Sequence, residues 1–307
     1  MFFLVEESSL NKRIDIVLSE KLNITRGLSQ RLIETTKVLV NGAAVKASYK
    51  LKLNDKIDVF ELENEERKII AKEIPINIVY EDDDVIIIDK DKDMVVHPGN
   101  GNYEETLVNS LMFSHKESLS GINGVIRPGI VHRIDKNTTG IIVVAKNDNA
   151  HKSLSEQFKA HSINRKYVAL VEGIIEKDKL KINLPIGRDE KNRIKMAVTT
   201  KNSKNAVTNI TVLKRYIKSN YTLVEAALET GRTHQIRVHM SYIEHPLVGD
   251  DTYGKKTNEF EVVGQLLHAK LLGFKHPSSD KYVEFSSEIH EDFKKVLECL
   301  DKKEEQQ

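Results

Sequence analysis

His132-Arg133-Ile134-Asp135-Lys136-Asn137-Thr138-Thr139-Gly140-Ile141-Ile142-Val143-Val144-Ala145 passes from a polar turn straight into an unbroken apolar run. The run after Gly140 reads as a buried strand, which puts Arg133 and Asp135 on a turn at its mouth. An isolated buried carboxylate costs several kcal/mol or takes up a proton. Asp135 therefore needs a cation from elsewhere in the chain.

Extended segments surround this element. Ile76-Asn77-Ile78-Val79-Tyr80 and Val85-Ile86-Ile87-Ile88 flank the acidic turn Glu81-Asp82-Asp83-Asp84, and Met94-Val95-Val96-His97-Pro98-Gly99 continues the pattern. Further strands are predicted at residues 167–171, 207–212 and 221–228. Helices are predicted at 106–115, at 149–160 with Ala150, Leu154 and Phe158 on one face, and from about Thr233. Strands in series with scattered helices fit an α+β domain with a largely antiparallel mixed sheet, here residues 75–298, followed by a charged tail at 299–307.

The 307 residues suffice for two domains, and the net charge of +1 hides an uneven distribution. Over residues 11–56, Lys12, Arg13, Lys21, Arg26, Arg31, Lys37, Lys46, Lys50, Lys52 and Lys56 face only Asp15, Glu20, Glu34 and Asp55. The rest of the chain is net acidic, so residues 1–60 read as a basic anchoring module. Ile14, Val17, Leu18 and Leu22 recur at helical spacing, and a second helix begins near Thr25, its expected cap, with Leu32 and Ile33 inward. Val38-Leu39-Val40 leads into Asn41-Gly42, a hairpin signal that sets Val45 opposite, with another strand at Ile57-Asp58-Val59-Phe60. This small α/β unit has the makings of a phosphate-gripping module. The charge-dense residues 61–74 read as a linker.

No stretch approaches the roughly 18 apolar residues of a membrane span, and Met1-Phe2-Phe3-Leu4-Val5 runs directly into Glu6-Glu7. A cytoplasmic location is expected, in keeping with Cys299 as the single cysteine.

Two further runs carry chemistry. In Gly231-Arg232-Thr233-His234-Gln235-Ile236-Arg237-Val238-His239, Thr233 is the expected helix cap. Arg232 and Arg237 then project differently, so one can enter a site while the other grips phosphate. Asn164-Arg165-Lys166-Tyr167-Val168-Ala169-Leu170-Val171-Glu172-Gly173 sets a tyrosine beside two cations at the start of a strand. Taken alone, the first run is more often a surface helix end, and the second reads also as a tyrosine packing at a sheet edge. His234 and His239 are five apart and lack cysteine or helix-facing partners, so no metal site is expected.

Arg13-Ile14-Asp15-x-x-Leu18, Thr25-Arg26, Gln30-x-Leu32-Ile33 and Val38-x-Val40-Asn41-Gly42 resemble the alpha-L RNA-binding module of ribosomal protein S-four. Gly27, Thr36 and Asn54 depart from that pattern, standing where serine, glycine and a Gly-Asp turn are usual. Arg127-Pro128-Gly129-Ile130-Val131-His132-Arg133-Ile134-Asp135-x-x-Thr138-Thr139-Gly140, Arg165-Lys166-Tyr167-x-Ala169-Leu170-Val171-x-Gly173, Pro185-Ile186-Gly187-Arg188-Asp189 and the run 231–239 resemble the RluA/RluD-type pseudouridine synthases of the ribosomal large subunit. His245-Pro246-x-x-Gly249-Asp250, Leu267-His268-Ala269 and Phe274-x-His276-Pro277 extend the resemblance over about residues 75–290. Asp89, Asp91 and Asp93 stand where that family has Asn, Pro and Gly, and Thr139 where it has Ser.

The resemblance implies isomerisation of uridine in RNA: the C1′–N1 bond breaks, the uracil turns, and it rejoins through C5. It implies no metal or organic cofactor. By the motif match, Asp135 is the carboxylate at the ribose, Arg237 its ion-pair partner and Tyr167 the residue stacking on the base. Covalent attack by Asp135 and proton abstraction giving a glycal both fit these residues. The target uridine must be flipped out, and Arg133 is suited to fill the space it leaves. Arg165, Lys166 and Arg232 are further candidate substrate contacts, with Arg13, Arg26, Arg31 and Lys37 gripping RNA from the N-terminal module. His132 is given no catalytic role. The expected partner is large-subunit ribosomal RNA or its assembling particle, without an obligate protein partner, and a monomer is expected. An RNA-binding ribosome-assembly factor whose catalysis is secondary or lost is the alternative, and the complete Asp135, Tyr167, Arg237 set speaks against it. A glycoside-type hydrolase would need a second acid near Asp135.

Overall fold

A computed structural model describes residues 2–22, 24, 26–60, 69–99, 102–122, 127–192, 195–255 and 258–306. The chain divides into two compact units, Met1–Arg67 and Lys68–Gln307.

In the first unit, β1 (Phe2–Leu4), β2 (Val38–Val40) and β3 (Lys56–Val59) form an antiparallel sheet in the order β1-β3-β2, accompanied by α1 (Ile14–Lys21) and α2 (Arg26–Glu34). Ile14, Leu18, Ile33, Val38, Leu51 and Ile57 are its innermost side chains. Asp15 is fully buried at the start of α1. Arg13 grips it through Nε and Nη2, both at 3.0 Å, and Arg26 Nε (3.0 Å) and Gln30 Nε2 (2.7 Å) complete the cage. The Arg13 hydrogen bonds, outweighing burial, hold this carboxyl far below the usual aspartate range.

Asn41 and Gly42 do form a tight turn, both at positive φ, closed by Val40 N–H donating to Ala43 O at 2.9 Å. The strand returning alongside β2 is β3, however, and not the segment at Val45. Asn41 directs this choice, because its N–H donates to Lys56 O (2.8 Å) and its Oδ1 accepts from Lys56 N–H (2.8 Å), which captures the later strand. The expected cap Thr25 and most of the expected linker, residues 61–68, lie outside the described residues.

The second unit is built on a nine-stranded sheet. Its strands are β4 (Asn77–Glu81), β5 (Val85–Lys90), β6 (Thr139–Ala145), β7 (Asn164–Glu172), β8 (Lys179–Asn183), β11 (Val207–Tyr216), β12 (Tyr221–Leu228), β13 (Leu267–Lys275) and β14 (Tyr282–Ser286). The order is β4-β5-β6-β13-β7-β12-β11-β8, with β14 on β13, and β6·β13 is the parallel pair. A two-stranded ribbon, β9 (Ile186–Arg188) with β10 (Met196–Val198), stands apart from this sheet. The α+β class with a largely antiparallel mixed sheet is therefore the observed one.

Residue alternation sends each strand to two cores. Ile86, Ile88, Ile142, Val144, Tyr167 and Ala169 pack on one face with α3 (Leu107–Ser114) and α5 (Gln235–Tyr242). On the other face, Ile87, Ile141 and Val143 meet α4 (Asp148–Ala160), while Val168 and Leu170 meet α6 (Glu291–Glu305). Each fully buried aliphatic side chain is worth about 1.5–3 kcal/mol. The segment expected to be a tail from residue 299 is helical to Glu305, with Leu300 fully buried. Among the described residues, 94–99, expected to be extended, make only the isolated bridges Val95↔Thr106 and Gly99↔Asn102. The ammonium of Lys90 gathers the carbonyls of Asp91 (2.6 Å) and Met94 (3.0 Å) and bends the chain there. Among the described residues, no helix is long and apolar enough to cross a membrane.

Two of the unusual aspartates fasten the start of α6: His290 Nε2 lies 2.9 Å from Asp89 Oδ1 and its Nδ1 3.6 Å from Asp91 Oδ1. The hydrogen bond to Asp89 raises the His290 pKa above its ordinary 6.5 despite burial. The stabilisation is fully present below 6.5 and is lost as pH climbs through the raised value. In urea unfolding from about pH 5 to about pH 9, the gap between wild type and His290→Gln is expected to be widest at the acid end and to close as pH rises. A gap that is independent of pH would contradict this coupling.

Candidate active site

The turn that carries Asp135 is fixed from several sides. Thr138 N–H donates to Asp135 O (3.0 Å), Gln265 Nε2 donates to Thr138 Oγ1 (3.0 Å), and Thr139 Oγ1 lies 2.9 Å from His268 Nδ1. Lys90 Nζ donates to Lys136 O at 3.1 Å, linking this turn to the loop after β5. Lys90 is nearly fully buried, and burial pushes its pKa down to about 7 against the pull of Asp91, Asp135 and Asp93. Behind the turn, Gly140 adopts φ +104° directly opposite Ala269, where a Cβ would collide with the Ala269 backbone. His132 is part of this scaffold: its Nε2 accepts from Val143 N–H (3.0 Å), its ring stacks on Phe158, and burial holds its pKa down to about 3.

Arg237 Nη1 donates to Asp135 Oδ2 at 2.9 Å. The same guanidinium is held in a fork by Asp250, with Nε to Oδ2 at 2.7 Å and Nη2 to Oδ1 at 2.8 Å. Asp250 is fully buried and also accepts the N–H groups of Thr252 and Tyr253, both at 3.0 Å. Its hydrogen bonds and charge, with those of Asp135, overcome burial and raise the Arg237 pKa, so the guanidinium stays cationic. Two carboxylates share one arginine.

The two oxygens of Asp135 differ. Oδ2 is tied to Arg237, whereas Oδ1 has His234 Nε2 nearby at 3.7 Å, beyond hydrogen-bonding range. Met196 N–H donates to Tyr253 Oη (2.8 Å), so the hydroxyl proton is free to serve His234 Nδ1, also 2.8 Å away. With the hydroxyl donating to Nδ1, a neutral His234 carries its proton on Nε2, the nitrogen on the side of Asp135. Burial, helped by Arg237 and Arg133 and opposed by Asp135 and Asp250, keeps the His234 pKa below its ordinary value.

Asp135, Tyr167, Arg232, His234 and Arg237 line a cavity of about 370 Å³, walled by Ile134, Leu228, Ile236 and Leu267. Arg133 lines it too and borders an adjoining cavity of about 700 Å³ on the same carboxylate. The apolar walls and the few convergent polar groups suit a planar base. Tyr167 is 9% exposed, and burial raises its pKa, so the phenol is neutral. Arg133 is exposed, with Nη1 3.4 Å from His97 Nε2.

Of the other candidates, Arg232 lines this cavity as well. Lys166 points to the opposite sheet face from Tyr167 and pairs with Glu225 at 3.2 Å, outside the cavity, because neighbours along a strand alternate. Arg165 shares the Tyr167 face without lining the cavity. Arg232 Nε is tied to Asn205 O at 2.9 Å. In the first unit, Arg13 and Arg26 cage Asp15, and Arg31 and Lys37 are exposed. Thr233 does not cap α5. His234 precedes the helix in the left-handed region at φ 55°, and Gln235 Oε1 takes the Arg232 N–H at 3.0 Å instead.

Asp250, His234, Tyr253 and Lys90 had no assigned role in the sequence reading. Only Asp250 left a signal, as the carboxylate closing the run from His245. His239 is held by Thr208 Oγ1 and Leu184 O, both at 2.9 Å, and forms no pair with His234. Asp82, Asp84 and His276 place their ligand atoms within 4.8 Å of one another. Tyr80, His276 and the Asp84 and Val85 amides already occupy the Asp82 oxygens, however, and Asn147 and Ser278 those of Asp84.

Residues 84–242 match the RNA pseudouridylate synthase family model, and residues 12–57 match the S4 domain. An uncharacterized RNA pseudouridine synthase of Bacillus subtilis is 49% identical over 298 residues, 96% of each chain. The ribosomal large subunit pseudouridine synthase D of Zymomonas mobilis is 46% identical over 75% of this chain and 74% of its own length. RNA pseudouridine synthase 2, chloroplastic, of Arabidopsis thaliana is 35% identical over 94% of this chain and 80% of its own. The solved structure of human RNA pseudouridylate synthase domain containing 1 superposes with a TM-score of 0.57 at 25% identity, over 74% of this chain and 95% of that one.

Proposed function

The chain belongs to the RluA-type family of RNA pseudouridine synthases with an N-terminal S4 domain and is an isomerase, and we propose that it acts on uridines of large-subunit ribosomal RNA in the cytoplasm, with Asp135 as the reacting carboxylate. The asymmetry of Asp135, a residue lining the cavity shared with Tyr167, carries this reading: Oδ2 is fixed by Arg237, and among the described residues Oδ1 has no hydrogen bond, with His234 Nε2 3.7 Å away. A carboxylate presented in that way is preorganised for the ribose of a flipped nucleotide, because no side chain has to be displaced before it acts.

In the reaction, the C1′–N1 bond breaks, the uracil turns between Tyr167 and the apolar walls, and C1′ bonds to C5. The C5 proton leaves to solvent and N1 gains one, so the product is an isomer. Asp135 engages the sugar, and Arg237, oriented by Asp250, keeps the carboxylate in place. Tyr167, neutral and buried among apolar side chains, carries the detached base and shields it from water. Arg133, exposed at the rim, occupies the gap that the flipped base leaves, its guanidinium plane stacking on neighbouring bases. Residues 1–60 grip RNA away from the target through Arg31 and Lys37 and the outer edges of Arg13 and Arg26, while residues 75–298 catalyse.

The large-subunit synthase D relative supports the choice of RNA. The test uses transcripts of both ribosomal RNAs labelled with tritium at uridine C5. Purified protein is expected to release tritium from large-subunit RNA, and release confined to small-subunit RNA would overturn this substrate.

A further inference from the structure

Arg165 lies on β7 two residues before Tyr167 and on the same sheet face, roughly 7 Å along the strand. It is 92% buried, being 8% exposed, yet among the described residues its Nε and Nη2 have no hydrogen-bond partner. Among the described residues no carboxylate pairs with it. Its recorded contact is with the ring of Phe158, whose centroid lies 5.7 Å from Cζ. Unpartnered buried polar groups are rare, and a charged one is costly to keep. This guanidinium contrasts with Arg237, which is equally buried and fully engaged by Asp250 and Asp135.

Its surroundings are cationic. Arg232 is near enough to oppose its charge, and burial, seconded by Arg232, lowers the Arg165 pKa, with Tyr167 the opposing influence. His161, exposed at the end of α4, feels both arginines. Gly231 leaves the guanidinium its room, because a Cβ there would collide with Arg165 Nη1. An open cleft lined by His161, Asn164, Asn205, Leu228 and Glu229 lies alongside; the Glu229 carboxylate is engaged by Lys181 and Asn209, and Leu228 also walls the base cavity. A ligand for this place must supply acceptor oxygens and negative charge, within one nucleotide of the base cavity.

We propose that Arg165, with Arg232, is the receptor for the RNA phosphate flanking the flipped uridine. This rests on the reading of Tyr167 as the base platform. The phosphate completes a guanidinium that the folded protein leaves unsatisfied, and the planar fork suits phosphate oxygens. Part of the cost of flipping the base is offset where the backbone bends into the site.

The test is a binding scan with an RNA stem-loop that the protein modifies, its target uridine located by tritium release, in which single phosphates are replaced by neutral methylphosphonates. Neutralising one flanking phosphate is expected to weaken wild-type binding about 10- to 100-fold, the range of a hydrogen-bonded charge. Arg165→Met should show that loss already and be indifferent to the same replacement. Without RNA, Arg165→Met should melt no lower than wild type, since it removes an unsatisfied charge. Gly231→Ala, which crowds Nη1, should reproduce the binding defect. Equal sensitivity of wild type and Arg165→Met at every flanking phosphate would overturn the proposal, as would a lower melting temperature in Arg165→Met. Because the scan reads affinity on any RNA the protein modifies, it stays interpretable if Asp135 or the large-subunit substrate is wrongly assigned.

Discussion

Arg237→Met is expected to remove about 3–5 kcal/mol of stability, the cost of breaking a buried ion pair from one side, and to abolish turnover with it. Asp250 is fully buried and would lose two charge-assisted hydrogen bonds, keeping only the amides of Thr252 and Tyr253. Methionine fills a similar volume, so the loss is electrostatic and not a cavity effect. Asp135 would lose its anchor at the same moment. Urea unfolding of Arg237→Met, Asp250→Asn and the double variant separates these contributions. Once Arg237 is gone, removing the Asp250 charge should restore part of the stability, so the double variant should be less destabilised than the sum of the single ones. Strict additivity, or a loss below about 1 kcal/mol for Arg237→Met, the range of an exposed pair, would mean that the pair is not the support of the site.

The sequence exposed those parts of the fold in which one periodicity runs undisturbed. β5 and β6 are built on the apolar runs Val85–Ile88 and Ile141–Ala145, and β12 alternates cleanly from Tyr221 to Leu228. β13 escaped, although it pairs with β6, β7 and β14. A register shift between Ala269 and Leu271 breaks the period of two, and Lys270 and Gly273 interrupt the apolar signal. α6 was obscured by charge: Phe293, Val296 and Leu300 mark a buried stripe, but Lys and Glu on the outer face made its second half read as a tail. Asn41-Gly42 marked a turn correctly yet pointed to the wrong partner, since register across a loop depends on which later strand Asn41 captures.

The site was legible where a carboxylate needed a cation. Burial logic required a partner for Asp135, and Arg237 meets it from a distant helix. Asp250 was not foreseen, because nothing local reveals that the arginine is itself buried and must be anchored by a second acid. Lys166 was misplaced for an elementary reason: as the neighbour of Tyr167 on a strand, it faces the other way. His234 was overlooked as an active-site residue, since its left-handed backbone comes from the turn into α5 and not from any side-chain pattern.

Asp135→Asn preserves shape and removes the charge from Oδ1, the oxygen that Arg237 does not hold. The Arg237 hydrogen bond to the remaining carbonyl oxygen can persist, so the fold and the RNA-binding surface should be retained, while the ribose meets a group that neither attacks nor accepts a proton efficiently. The loss should fall on the chemical step, with the variant binding substrate RNA within a few-fold of wild type. The deciding measurement is single-turnover release of tritium from RNA labelled at uridine C5, with binding followed in the same samples. The account predicts release by wild type and none above background by a fully RNA-bound Asp135→Asn. Release by that variant at a rate near wild type would contradict the assignment of Asp135 as the reacting carboxylate.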